Sequence, residues 1–362
     1  MAAMKVAIDQ PGARGGPSRS PVSVMAPLAA HAAGSAYRDG VPPDVFSEET
    51  LRRCLRDPEW LEAPVTDAIS PLTPVTLTRP DAIEIPVAAP RLFVGVGLAD
   101  DAKAPDLDVI VSSDDELVAL DAACARNPNA AITLVQLLRT SGRLDIDRAL
   151  IAESLAYSTL LGGGEFARWH AAQPAGTHRP ADAPVTVADD GTTLTITLNR
   201  PEVHNAYDAA TRDALTDALR SAAMLADQRR VELRGNGPSF CSGGDLNEFG
   251  TNDDLTRAHL IRATRAPGLL LHDLQTQVSA HVQGACIGAG IELAAFCARV
   301  TAQPDSIFRL PEVAMGLVPG AGGTVSIPRR IGRQRATWLA VTGQVLDAST
   351  ARDWGLVDAI PA

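Results

Sequence analysis

Cysteine is sparse and unpatterned in this chain. The five cysteines are dispersed, odd in number and contain no C-x-x-C pair, so the sequence predicts neither a disulfide framework nor a zinc site and favours free thiols in a reducing compartment. Lysine is nearly absent, and the formal net charge is -11 at pH 7. Because binding to a phosphate backbone requires clustered positive charge, the composition argues against a nucleic-acid partner and against an anionic membrane surface.

Long apolar runs are also missing. A membrane-spanning helix needs about 20 consecutive apolar residues. The longest candidate, residues 278–298, is interrupted by His281, Gln283 and Glu292. The first 40 residues lack the apolar core of a signal peptide. We therefore expect a cytoplasmic protein that makes no use of a membrane.

Composition divides the chain into segments. The length of 362 residues predicts two domains, and 46% hydrophobic with 21% charged residues is typical of a globular protein. Residues 1–45 are rich in alanine, glycine, proline and serine, which indicates a disordered tail. Proline, glycine and histidine cluster again at residues 173–184 and predict a linker. This linker separates an N-terminal domain, residues 46–172, from a second domain, residues 185–362.

The N-terminal domain carries mixed signals. The sequence predicts a helix from an N-cap at Ser47 to Leu61 and strands at residues 91–97 and 107–112. It also predicts helices at residues 114–126 and 146–169, of which the second is interrupted by glycines at residues 162–164. Residues 130–138 suit either a strand or a helix. If they form a strand, residues 115–139 have the same order of helix and strand as residues 213–234. One alternative is therefore that the N-terminal domain is the degenerate first copy of an internal duplication. No catalytic or phosphate-binding spacing occurs here, so the role of this domain stays open.

The second domain alternates strands and helices, the pattern of an α/β fold. Asp190-Gly191 is a hairpin turn signal between two apolar segments. The predicted elements are strands at residues 185–187, 194–198, 231–234 and 278–282 and helices at residues 209–225 and 290–300.

Three glycine-rich segments stand out in this domain. They are SFCSGGDLNE (residues 239–248), QGACIGAGIELA (283–294) and FRLPEVAMGLVPGAGGT (308–324). Each of the first two indicates a strand, a tight turn and the start of a helix, where backbone N–H groups are unpaired and carry partial positive charge. Two such turns facing each other could hold one developing oxyanion between two amides.

Two glutamates follow these turns in apolar surroundings. Glu292 lies among isoleucine, leucine, alanine and phenylalanine, and Glu312 lies between Pro311 and Val313. A carboxylate in a buried helix needs a partner or a chemical role. If the two face each other across a dry cleft, burial and mutual repulsion would separate their pKa values and supply one acid and one base.

These segments resemble the crotonase family, also called the enoyl-CoA hydratase/isomerase superfamily. The similarity lies in RPEVHNA (residues 200–206), SGGD (242–245), GAGIELA (288–294) and the run from Pro311-Glu312 to Thr324, and it extends over residues 185–360. The resemblance implies an α/β fold with a crotonase-like ββα spiral core that binds an acyl-CoA thioester. An additional α/β or mainly helical domain would precede this core.

The resemblance also implies roles for particular residues. The backbone N–H groups of Gly244 and Ala289 would form the oxyanion hole, and Glu292 and Glu312 would be the catalytic pair. Further substrate contacts would come from His204, Ala206, Gly243, Asp245, Leu246, Gly288 and Gly290. The family acts on a CoA thioester as substrate and needs no other cofactor and no metal.

Three activities remain open at this point. The first is hydration of a trans-2-enoyl-CoA to a 3-hydroxyacyl-CoA, the second is isomerisation or a specialised acyl-CoA dehydration, and the third is a CoA-ester-binding subunit without turnover. Family members continue past the segment that resembles residues 354–357 into helices that close the acyl pocket and pack a trimer or hexamer. We expect the N-terminal domain to take over this covering role, and a homo-oligomer is expected from the family alone.

Overall fold

The computed structural model describes residues 45–57, 60, 71–76, 83–97, 104, 106–174, 176, 181–225, 229–251, 253–274 and 277–361. The predicted disordered tail lies outside these residues except for Val45, and the predicted linker is described only in part. All described residues belong to one structural unit. Within them, no helix combines the length and the apolar character needed to cross a membrane.

A four-stranded parallel sheet opens the described chain. Its strands are β1 (Phe46–Ser47), β2 (Leu72–Thr76), β3 (Leu92–Val96) and β4 (Val109–Val111), paired in that order. Ser47 caps α1 (Glu48–Cys54), because its hydroxyl accepts a hydrogen bond from the Thr50 N–H at 3.2 Å. The predicted cap is confirmed, and the helix ends before Leu61.

In the described chain, four α-helices follow this sheet. They are α2 (Asp114–Arg126), α3 (Pro128–Ser141), α4 (Ile146–Leu161) and α5 (Gly164–Ala171). The ambiguous residues 130–138 are helical, because Pro128 occupies the first turn, where its fixed φ suits a helix and its missing N–H costs nothing. The strand required by the apparent repeat is therefore absent, and the helix–strand order of residues 213–234 does not recur here.

The second half contains a five-stranded and a three-stranded sheet. The larger sheet has the order β10-β8-β7-β6-β5, and the smaller sheet has the order β12-β11-β9. The strands are β5 (Val185–Asp189), β6 (Thr193–Leu198), β7 (Arg230–Gly235), β8 (Val278–Val282), β9 (Ala285–Ile287), β10 (Arg299–Ala302), β11 (Ile307–Arg309) and β12 (Leu346–Asp347). The hairpin at Asp190-Gly191 is confirmed: β5 and β6 pair antiparallel, whereas β6, β7, β8 and β10 run parallel.

Among the described residues of this half, seven α-helices accompany these sheets. They are α6 (Ala209–Ala223), α7 (Leu255–Thr264), α8 (Pro267–Asp273), α9 (Ala289–Ala294), α10 (Gly323–Ile331), α11 (Arg333–Thr342) and α12 (Ala348–Trp354). The prediction of one helix over residues 290–300 is wrong. Helix α9 stops at Ala294, and β10 then pairs with β8, an arrangement that buries Val300 and Ala302 in the sheet.

A buried ion-pair network joins the two halves. Asp108, which is fully buried, accepts hydrogen bonds from Arg139 of α3 and, at 2.9 Å, from Arg333 of α11. The apolar core is continuous across the same boundary, since Leu134 and Leu339 belong to one buried cluster. The division of residues 46–362 into two domains and a linker stays a prediction, but the two halves share a core.

We expect Asp108→Ala to lower the free energy of unfolding by about 3–5 kcal/mol, because the change leaves the buried Arg139 guanidinium without its carboxylate. Urea denaturation of the full chain measures this loss. The matched control is Asp145→Ala, which removes an exposed pair with Arg148 at 3.7 Å and should change the same quantity by less than about 1 kcal/mol. Equal effects of the two substitutions would contradict the role of the Asp108 network.

Candidate active site

Two glycine-rich turns meet beside β9, a strand of the smaller sheet. Cys241 and Cys286 pair as a parallel bridge: the Cys241 N–H donates to the Ala285 carbonyl at 3.0 Å, and the Ile287 N–H donates to the Cys241 carbonyl at 2.9 Å. This pairing carries both chains into their turns side by side. Gly244 and Ala289 therefore line the same cavity, which has a volume of about 840 Å³.

The backbone amides of Gly244 and Ala289 are available to a ligand. Neither N–H donates a hydrogen bond within the described part of the chain. Tyr207 forms backbone hydrogen bonds with the residues on either side of Gly244. Its N–H donates to the Gly243 carbonyl at 2.7 Å, and its carbonyl accepts from the Asp245 N–H at 2.9 Å. Two unpaired donors in one cavity can stabilise an oxygen atom that gains negative charge during a reaction.

Gly288 cannot be exchanged for a larger residue without moving a glutamate. Its φ is +50°, in the left-handed region that favours glycine. A Cβ atom at this position would lie 2.5 Å from Oε1 of Glu312. The second turn therefore packs directly against the Glu312 carboxyl group.

Glu292 and Glu312 line the cavity and are both buried. Glu292 Oε2 accepts hydrogen bonds from the Ala321 N–H at 2.7 Å and the Gly323 N–H at 2.9 Å. Burial raises the pKa of Glu292 to about 7, and the backbone hydrogen bonds oppose this rise. Burial also raises the pKa of Glu312 well above its ordinary value, and the charge on Glu292 adds to this rise. Both carboxyl groups are therefore weaker acids than a glutamate in water.

Glu312 has an unusual environment. Its Oε2 atom has no hydrogen-bond partner within the described residues. An ionised carboxylate would be costly in such a place, so the protonated form is favoured. A carboxyl group that keeps its proton in a cavity can donate it to a bound molecule.

The second half of the chain is similar to known proteins of one family. The family described as enoyl-CoA hydratase/isomerase matches residues 189–362. The Bacillus subtilis protein YhaR, assigned to the enoyl-CoA hydratases/isomerases, is 33% identical over 175 residues, which cover 48% of this chain and 68% of YhaR. The chain belongs to the enoyl-CoA hydratase/isomerase family.

Other members of the enoyl-CoA hydratase/isomerase family also match about half of the chain. The enoyl-CoA isomerase/hydratase fer4 of Mycosarcoma maydis is 36% identical over 45% of this chain and 63% of its own length. A crystal structure of an enoyl-CoA hydratase from Bacillus anthracis is 31% identical over 49% of this chain and 70% of that chain, with a TM-score of 0.46. The chain spans 63–65% of the length of several curated relatives that it matches.

A third buried glutamate comes from outside the part that matches the enoyl-CoA hydratase/isomerase family. Glu153 of α4 accepts hydrogen bonds from the Gly322 N–H at 2.7 Å and from the N–H and hydroxyl of Thr324 at 2.9 and 2.6 Å. Four successive amides, those of residues 321–324, therefore alternate between Glu292 and Glu153. Burial and then the charge of Glu292 raise the pKa of Glu153 to about 8.

The N-terminal half forms a wall of the cavity. Helices α4 and α5 contribute Tyr157, Phe166 and His170 to its lining. The Phe166 ring packs against Trp169 and Phe249, with ring centroids 5.9 and 6.3 Å apart. From the sequence, the N-terminal domain is expected to cover the pocket, but none of these residues is predicted to line it. No local pattern marks Glu153, because its helix also contains Asp147, Arg148 and Ser154.

The other predicted contacts divide into two groups. Asp245 lines the cavity, but its carboxylate accepts a hydrogen bond from the buried Arg200 at 3.0 Å. Leu246, which follows it in sequence, is 52% exposed and lies outside the cavity lining. The remaining predicted contacts lie outside the cavity lining, and their contact with substrate stays a prediction: His204, Ala206, Gly243, Gly288 and Gly290. His204 Nδ1 lies 2.9 Å from the Ser239 hydroxyl, and the Ala206 carbonyl accepts from Arg200 at 2.6 Å.

A metal site is not evident in the described ranges, where no three histidine, cysteine, aspartate or glutamate side chains are grouped as metal ligands would be. The expectation that neither a metal nor a separate cofactor takes part in the reaction stays a prediction.

Glu153→Gln should flatten the pH dependence of stability. From about pH 4.5, the ordinary pKa, to about pH 8 the folded wild-type chain keeps a proton on Glu153 that the unfolded chain loses. The free energy of unfolding should therefore fall as pH rises, by up to about 1.4 kcal/mol per pH unit for this group. Denaturant unfolding across this range measures the slope. The exposed Glu202→Gln is the control, and a slope unchanged by Glu153→Gln would contradict the raised pKa.

Proposed function

We propose that the chain adds water across the C2–C3 double bond of a trans-2-enoyl-CoA and forms a 3-hydroxyacyl-CoA. The observation that carries this proposal is the pair of buried carboxyl groups, Glu292 and Glu312, in one cavity with two unpaired backbone amides. Membership of the enoyl-CoA hydratase/isomerase family supports the thioester as the substrate class.

The proposed reaction uses each group once. The thioester oxygen accepts hydrogen bonds from the N–H groups of Gly244 and Ala289. Glu292 takes a proton from water while the water oxygen bonds to C3, and the π electrons move to C2 and into the thioester enolate. Glu312 then donates its proton to C2, and return of the proton held by Glu292 to Glu312 resets the site. The reverse reaction exchanges the two roles.

The pKa shifts suit this assignment. Glu312 keeps its proton near neutral pH because burial and the charge of Glu292 raise its pKa, so it is suited to act as the acid. Glu292, with a pKa raised to about 7, is partly ionised at the same pH and can act as the base. Its two hydrogen bonds from backbone amides hold the carboxylate in place throughout the cycle.

Isomerisation of the double bond is the second candidate. One carboxyl group that accepts and returns a proton is sufficient for this reaction, and Glu312, with its free Oε2 atom, could serve. A CoA-ester-binding subunit is a weaker candidate, because binding alone does not require a buried carboxyl oxygen without a partner. Hydration differs from both in needing two titrating groups.

Glu292→Gln and Glu312→Gln should each lower the kcat for hydration by about 10²–10⁴-fold, because each removes one proton transfer. The affinity for the CoA ester should change only a few-fold, since backbone amides hold the thioester. Loss of enoyl absorbance with a panel of trans-2-enoyl-CoA esters measures turnover, and Glu202→Gln is the exposed control.

The outcomes separate the candidate reactions. Wild-type turnover in either variant would remove that residue from the mechanism. Double-bond migration without hydration that survives Glu292→Gln would favour isomerisation. Binding of the ester without any turnover in the wild type would favour the non-catalytic subunit.

A further inference from the structure

Three arginines line the cavity, and two of them are paired. Arg212 lies 2.9 Å from Asp213, and Arg265 lies 3.3 Å from Asp217 and 3.7 Å from Asp213. The third, Arg262 of α7, forms no ion pair with any described carboxylate. A cation in a cavity wall without a protein counter-charge is suited to an anionic part of the ligand.

Two serines hold the Arg262 guanidinium in place. Nε donates to the Ser154 hydroxyl at 3.3 Å, and Nη2 donates to the Ser158 hydroxyl. Both serines lie on α4, one helical turn apart. The Arg262 Cζ atom lies 4.9 Å from the centre of the Tyr157 ring, and Nη1 makes no hydrogen bond within the described part of the chain. The guanidinium is therefore oriented by hydroxyl groups that do not neutralise its charge.

Nearby acidic groups do not neutralise the positive charge of Arg262. Glu153 is the carboxyl whose charge acts on it, but Glu153 is hydrogen-bonded to the amides of Gly322 and Thr324, and burial favours its protonated form. Asp253 lines the same cavity, is exposed and makes no ion pair with Arg262. The planar guanidinium remains available, and it matches the two oxygens of a carboxylate.

The position of the Tyr157 ring shows where Arg262 lies relative to Glu292 and Glu312. A Cβ atom at Gly320 would lie 2.5 Å from the Tyr157 ring, and Gly320 immediately precedes the amides that hold Glu292. One aromatic ring thus separates Arg262 from the loop that positions Glu292. In the proposed reaction the glutamates act on C2 and C3, so a group beyond C3 could extend past this loop toward the guanidinium.

We propose that Arg262 binds a carboxylate at the far end of the acyl chain, so that the substrate class is the CoA thioester of an unsaturated dicarboxylic acid. This inference rests on the proposed function for its CoA-ester ligand and adds the chemistry of the acyl tail. Tyr157, Ser154 and Ser158 position the guanidinium for that contact.

Binding tests the proposal without turnover. Calorimetric titration of the full chain compares adipyl-CoA with hexanoyl-CoA, two saturated esters of equal carbon number that differ in the terminal carboxylate. We expect adipyl-CoA to bind at least about ten-fold more tightly, as a hydrogen-bonded charge pair would provide. Arg262→Met should abolish this preference and leave hexanoyl-CoA affinity within about two-fold, whereas Arg262→Lys should keep part of it. Arg265→Met, the matched control, should keep the preference.

Several results would overturn the proposal. Equal affinity of the wild type for both esters would overturn it. This comparison uses only the wild type and so does not depend on whether a variant folds. An equal loss of both affinities in Arg262→Met would instead assign the arginine to a phosphate of CoA. A failure to bind either ester would overturn this inference and the proposed function together. A carboxylate preference without hydration of any enoyl-CoA would leave Arg262 as proposed and contradict only the hydratase assignment.

Discussion

The cost of burying carboxyl groups governs the arrangement of this site. Glu153, Glu292 and Glu312 line one cavity, and burial is the largest influence on the pKa of each. The amides of residues 321–324 offset part of this cost for Glu292 and Glu153. The Oε2 atom of Glu312 accepts no hydrogen bond from the described residues. Backbone amides thus hold Glu292 in the same cavity in which one carboxyl oxygen of Glu312 has no partner among the described residues.

The same constraint explains why the N-terminal half matters to the chemistry. The loop that holds Glu292 is itself held by Glu153 of α4, and α4 and α5 form one wall of the cavity. The Asp108 network and a continuous apolar core attach this half to α11. The proposed acid–base pair lies in the family-matching part, but its environment depends on both halves. The inferred carboxylate contact at Arg262 depends on α4 in the same way.

Local sequence patterns predicted much of this structure. The Asp190-Gly191 hairpin, the Ser47 cap and the two glycine-rich turns follow from local chemistry, and apolar neighbours identified Glu292. The secondary structure of residues 130–138 and 290–300 was harder to predict, because a buried helix and a buried strand are equally apolar and tertiary pairing decides between them. Glu153 and Arg262 acquire their roles through contacts with chain segments about 100–170 residues away. No local pattern specifies such contacts.

The protonation state of Glu312 is the central claim, and infrared spectroscopy measures it directly. Protein labelled with carbon-13 at the glutamate side-chain carboxyl should show a protonated carboxylic acid band at neutral pH, in addition to the bands of ionised carboxylates. That band should weaken in Glu312→Gln and remain in the exposed control Glu202→Gln. A spectrum of ionised carboxylates alone, or a protonated band unchanged by Glu312→Gln, would contradict the account.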